Sequence, residues 1–163
     1  MNNGPAHNRW IIWLLLFVGI LLQIMPWPSP LYMIKPNWLL LILVYWLIAL
    51  PHRVGIGTAF FIGIIMDLFL GSVLGVHAFA FSIVAYLAMF KFQLVRNLAL
   101  WQQLLIIVFL SICYDFCLFM LKIIINHAIT VIPILFLSDV INGILWPWFF
   151  LLLRCMRRRF RIC

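Results

Sequence analysis

The side chains best suited to chemistry are three aspartates, Asp67, Asp115 and Asp139, the only acidic residues in the chain. Each interrupts an apolar run, where an ionised group costs at least a few kcal/mol. A carboxylate placed there can clamp helices through hydrogen bonds, receive a basic group from a partner, or bind a small solute or proton. Lys122 follows Asp115 by two helical turns, and Asn142 lies close to Asp139 on the same run. Counted inward from the basic flanks at ~1.5 Å per helical residue, the three acids reach a similar depth of ~20–25 Å on three different helices. Asp67, Asp115, Lys122, Asp139 and Asn142 are therefore expected to converge on one polar cluster. A proton path would continue through the other half of the apolar layer, where no acid lies.

Other chemistries find little support. The cysteines Cys113, Cys117, Cys155 and Cys163 show neither C-x-x-C nor Cys/His metal spacing. His7, His52, His77 and His127 are scattered and are expected to be solvated side chains near segment ends. No H-E-x-x-H, G-x-S-x-G or glycine-rich phosphate loop occurs. No catalytic, cofactor or metal site is expected, and an enzyme is the weakest functional class.

One spacing pattern stands out. Gly55, Ala59, Gly63, Asp67, Gly71 and Gly75 fall at strict four-residue steps. Such steps follow one ridge of a helix. Small residues there let a second helix approach closely. The ridge is expected to serve either packing within the chain or docking of a partner's helix, and Gly71 and Gly75 can instead belong to a turn.

The elements that must hold these residues follow from composition. Of 163 residues, 68% are hydrophobic and 9% charged, whereas a soluble domain carries roughly a quarter charged residues. So apolar a surface must face lipid, where each backbone polar group needs an internal partner. Long apolar runs select helices over a β-barrel. The expected fold is an all-α polytopic membrane protein, a single domain of about six transmembrane segments at 10–25, 36–50, 54–70, 77–90, 98–125 and 132–153, followed by a basic tail at 154–163. The first run has Trp13 and no small-residue cleavage site before Pro26, so it is expected to be an uncleaved helix. Pro26, Pro28 and Pro30 separate the first two segments, and Pro51 ends the second.

The net charge of +8 does not point to nucleic acid, because the basic residues flank apolar runs. With six spans and a cytoplasmic N-terminus, nine basic residues fall inside (Arg9, Arg53, Lys91, Arg96, Arg154, Arg157, Arg158, Arg159 and Arg161) and two outside (Lys35 and Lys122). This satisfies the positive-inside rule. If 36–50 only dipped into the membrane and the N-terminus lay outside, Lys35 would replace Arg9 and the score would be unchanged. Charge thus places the C-terminus inside and leaves the first two segments open. Arg154, Arg157, Arg158, Arg159 and Arg161 form an expected cytoplasmic anchor on anionic lipid.

Several stretches together resemble a known family. They are Leu-Leu-Gln-Ile-Met-Pro-Trp-Pro at 21–28, Pro-Asn-Trp-Leu-Leu-Leu-Ile-Leu at 36–43, Ala-Leu-Pro-His-Arg-Val at 49–54, and Asp67 with Gly71 and Gly75. Arg-Asn-Leu-Ala-Leu-Trp-Gln-Gln at 96–103 and Asn-Gly-Ile-Leu-Trp-Pro-Trp at 142–148 continue the series. In number, order and spacing they resemble the rod shape-determining MreD family of Gram-negative bacteria, and the match is poorest at roughly 113–137. The resemblance implies a non-enzymatic inner-membrane scaffold of the cell-elongation machinery, supporting side-wall peptidoglycan synthesis. It implies a single-span MreC-like partner, and a wider assembly with MreB, RodA and a class B penicillin-binding transpeptidase. It also implies a six-helix membrane fold similar to the substrate-binding subunits of vitamin transporters. The alternative function is accordingly a small-solute-binding transport subunit.

Overall fold

A chain this apolar must satisfy its backbone within each segment, and it does so with helices. The computed structural model describes residues 9–28, 35–90, 92–126 and 135–159. Its elements are α1 (Arg9–Ile24), α2 (Trp38–Ala49), α3 (Ile56–Leu70), α4 (Val76–Phe90), α5 (Phe92–Asn97), α6 (Leu100–Asn126) and α7 (Leu135–Arg159). Among the described residues, seven helices thus stand where six segments were expected. The addition is α5, a single short element of 6 residues between the fourth and fifth apolar runs.

Helix lengths divide into two classes. α6 and α7 are each long and apolar enough to cross a bilayer on their own. α1 to α4 have 12 to 16 residues, or ~18–24 Å at 1.5 Å per residue. Proline sets some boundaries: α1 stops at Ile24 just before Pro26, and α2 stops before Pro51. Pro147 lies inside α7, where it removes one backbone donor from the ladder. α7 runs through Arg154 to Arg159, so these arginines ride on its last turns.

The shortest helix apart from α5 is the centre of the fold. α2 is apolar on every face, the pattern of a helix enclosed by others. Leu39 to Ile48 are all buried, and α2 packs against α1, α4, α5 and α7. The other principal contacts are α3 with α4, α4 with α6, and α6 with α7. The outward faces are apolar as well: Trp13, Phe17, Phe61, Leu68, Leu105 and Ile144 are each more than half exposed. In lipid such burial gains little hydrophobic free energy, since acyl chains are as apolar as leucine. Packing density and internal polar bonds must therefore specify the arrangement.

Candidate functional site

Asp67 organises the junction of α3 and α4. α3 ends on Gly71, whose φ of 62° is left-handed, a conformation glycine adopts without a Cβ clash. The Ser72 N–H then returns to the Asp67 carbonyl at 3.1 Å, closing the helix end in the Schellman manner. This tight reversal sets the start of α4 beside the Asp67 side chain. One carboxylate oxygen accepts from Ser72 Oγ at 2.7 Å, His77 Nδ1 at 2.6 Å and His77 N at 3.1 Å. The other accepts from Gly75 N at 2.9 Å and Ala78 N at 3.4 Å. The first N–H groups of a helix have no partner within it. Here the preceding helix supplies the cap, with a negative charge at the positive end of the α4 dipole.

The grouping of Ser72, His77 and Asp67 superficially resembles a hydrolytic triad, but its connectivity differs. Ser72 donates its proton to Asp67, and Ser72 and Asp67 both face the same imidazole nitrogen, Nδ1. A triad needs serine on one ring nitrogen and carboxylate on the other. His77 is also not the solvated side chain expected from sequence. It is buried, and its hydrogen bonds to Asp67 keep it so. His52 is exposed as expected; His7 and His127 lie outside the described residues.

Close packing makes this junction possible. A Cβ at Gly63 would stand 2.6 Å from Ala78 N and 2.9 Å from His77 C. Gly63 therefore meets the first turn of α4 backbone to backbone. Ala59 and Asp67 are fully buried on the same ridge. At Gly55, Gly71 and Gly75 an added Cβ would touch nothing within 4 Å. Of the six stripe residues, then, only Gly63 has a glycine that close helix contact demands. Gly55 precedes α3, and Gly71 and Gly75 lie in the turn after it.

A second polar cluster joins four helices. Gln23 Nε2 on α1 donates to Asn37 Oδ1 at 3.1 Å, just ahead of α2. The Asn37 N–H donates to Asn142 Oδ1 on α7 at 2.9 Å. Asn142 Nδ2 donates to Ser111 Oγ on α6 at 2.8 Å, and Ser111 donates to Asp139 on α7. Ser111, Asp139 and Asn142 are buried, and the Asp115 carboxyl adjoins Asp139. Ser138 Oγ donates to the Lys35 carbonyl at 2.7 Å, holding the chain ahead of α2 against α7. The Lys35 ammonium donates to the carbonyls of Gln23 and Met25. Its partial burial holds it below the usual lysine range.

The three acids thus divide between two clusters. Asp115, Asp139 and Asn142 come together, whereas Asp67 bonds to the α3–α4 turn. Tyr114 occupies the side of α6 nearest His77, with ring centroids 6.5 Å apart, and packs on Phe81 at 4.8 Å. Lys122 is exposed. Gln23, Asn37, Ser111 and Ser138 were missed in the sequence. Asn37 alone carried a signal, as a polar residue directly before an apolar run.

A third polar fastening lies at the opposite end. Gln103 Nε2 donates to the carbonyls of Val95 (3.0 Å) and Leu98 (3.2 Å), where the chain breaks between α5 and α6. Its Oε1 accepts from Trp146 Nε1 on α7 at 3.3 Å. Arg96, Arg154, Arg158 and Arg159 stand exposed at this end and Arg157 is half-buried; Arg161 lies outside the described residues. Among the described residues no group of histidine, cysteine and acidic side chains has the arrangement of a metal site.

Comparison with known proteins gives these features a family. The model of the family described as rod shape-determining protein MreD matches residues 6–156. The rod shape-determining protein MreD of Haemophilus influenzae is 37% identical over 155 residues, covering 94% of this chain and 95% of that protein. No solved structure matches the chain. Both the family match and the relative extend over nearly the whole helical bundle, including both polar clusters and the Gln103 fastening, and on that ground the chain belongs to the MreD family of rod shape-determining membrane proteins.

Proposed function

We propose that the protein is a non-enzymatic scaffold of the cell-elongation machinery in the bacterial inner membrane. In this reading it holds an MreC-like single-span partner and connects it to MreB, RodA and a class B penicillin-binding transpeptidase during side-wall peptidoglycan synthesis. Six apolar helices cross the bilayer, with both termini cytoplasmic. α2, at ~18 Å, is enclosed by its neighbours and needs little lipid contact, so its shortness is tolerable.

One observation carries the reading: the buried carboxylates of Asp67 and Asp139 are bonded within the chain, while the outward surface is apolar. Asp67 is engaged by the α3–α4 turn, and Asp139 by Ser111. Neither presents a free group to a substrate, which weighs equally against a solute-binding subunit. What remains for function is the set of helix faces. Gly63 is covered by α4, so a partner helix must dock elsewhere than on the centre of the small-residue ridge.

Photo-cross-linking tests this directly. A photoreactive residue is placed singly at Phe61, Leu68, Leu105, Ile144 and Trp148, all outward-facing, with the MreC-like protein co-expressed. Adducts confined to positions on one face are expected. Absence of adducts from every face of an inserted protein would sink the scaffold reading.

A further inference from the structure

At the basic end a cavity of about 260 Å³ opens between α2, α5 and α7. Its rim carries three arginines, Arg96 from α5 and Arg154 and Arg157 from α7. Ile48, Ala49 and Phe150 make its remaining walls apolar, and Tyr45 closes it. Tyr45 is only 2% exposed. It is fixed by edge-on contacts with Trp46 at 5.5 Å and Phe150 at 5.6 Å. The Gln103 fastening holds the break beside α5 to α7, which sets Arg96 opposite Arg154 and Arg157.

Among the described residues, nothing compensates the charge of this cavity. The chain has three acidic side chains, and all three belong to the clusters at the other end of their helices. Among the described residues no ion pair involves the three guanidiniums. Three cations around one cavity repel each other, so an anion is the complement that the site lacks. Guanidinium forks match the oxygens of a phosphate through paired, charge-assisted hydrogen bonds.

We propose that this cavity binds the phosphate headgroup of an anionic membrane phospholipid. The cavity is smaller than the roughly 300–1,000 Å³ clefts that enclose drug-sized ligands, so it suits a headgroup rather than a whole soluble metabolite. Its apolar walls favour a ligand with a hydrocarbon part. The site holds a lipid at one place, unlike the diffuse attraction of a basic tail to anionic lipid, and it includes Arg96, which lies outside that tail.

The test uses the full chain in detergent micelles and native mass spectrometry with added phosphatidylglycerol, phosphatidylcholine or inorganic phosphate. The pair Arg96→Gln and Arg157→Gln is compared with Arg158→Gln and Arg159→Gln, which makes the same change in charge away from the cavity. Retention of phosphatidylglycerol should fall about tenfold in the first pair, the equivalent of one charge-assisted hydrogen bond, and stay near wild type in the second. Arg96→Lys, which keeps charge but loses the fork, should bind at an intermediate level, and matched melting temperatures confirm folding. Equal loss in both pairs would replace the site with diffuse attraction and overturn the proposal. Equal retention of phosphatidylcholine, or displacement of phosphatidylglycerol by inorganic phosphate, would overturn the lipid as ligand. Wild-type retention by the first pair would also overturn it, leaving the arginines to an acidic segment of a partner protein.

Discussion

At one end of the helical bundle Asp67 and Asp139 are no more than 2% exposed, and their oxygens are bonded to donors of the same chain. At the other end Arg96, Arg154, Arg158 and Arg159 are exposed and have no ion-pair partner among the described residues. α7 holds charges of both kinds, Asp139 near its start and Arg154 to Arg159 on its last turns. The difference lies in what each charge completes. In a low-dielectric interior an unpaired carboxylate is too costly to keep, so each buried acid acquires partners and becomes part of the fold. Near the membrane surface a guanidinium keeps water or headgroups around it and contributes little to folding. The acid end therefore specifies structure, and the basic end is available for interaction.

The largest loss is expected from removing Asp67. Asp67→Ala leaves the N–H groups of Gly75 and His77, the Ser72 hydroxyl and the His77 ring without their acceptor. The expected loss is about 3–5 kcal/mol, read as loss of monodisperse protein after detergent extraction and as a lowered unfolding midpoint in mixed micelles. Asp67→Asn should recover part of it, because an amide oxygen still accepts. An unchanged midpoint for Asp67→Ala would show that the α3–α4 junction stands on packing alone.

Gly63→Ala separates packing from capping at the same junction. Its added methyl would meet the backbone of His77 and Ala78, which cannot move aside as a flexible side chain can. The α3–α4 pair must then splay, at an expected cost of about 1–3 kcal/mol. Disulfide trapping between cysteines introduced across the two helices should report the change as slower cross-linking. Wild-type rates would place the contact elsewhere.

Asn142→Leu probes the second cluster more gently. It removes the bonds to Asn37 and Ser111 while keeping the branched side-chain shape, and interhelical hydrogen bonds in membranes contribute about 0.6–2 kcal/mol each. A loss of that order in unfolding midpoint is expected, with α1 and α2 becoming more accessible to proteolysis. Equal stability would mean that this chain of hydrogen bonds is incidental.

How much of this was legible in the sequence differs between the two clusters. Asp67 stood out because it is an acid on a four-residue ladder of small residues. Its capping role did not, because a Schellman turn folds Ser72 and His77 back onto it and only the turn geometry reveals the contact. The same geometry explains why His77 was expected at the surface: its depth depends on the α3–α4 reversal. Asp115 and Asp139 were grouped by depth and Asn142 by its closeness to Asp139 on one run, whereas Asn142 reaches the carboxylate through Ser111, a residue that hydropathy treats as featureless. The all-helical class and the apolar segments followed from composition. The central position of α2 did not, because a helix apolar on every face fits both lipid exposure and complete enclosure.

The smallest expected effect is at the basic end. Replacing Arg96 and Arg157 by glutamine removes two positive charges from a cavity whose three arginines have no acidic partner among the described residues. If those charges serve only an external anion, the isolated fold loses nothing and is relieved of mutual repulsion. The unfolding midpoint in neutral detergent should stay within about 0.5 kcal/mol of wild type, moving upward if at all. The upward drift should shrink in high salt, which screens exposed charges. A loss approaching that of Asp67→Ala would erase the distinction between the two ends, because it would make the arginines part of the fold after all.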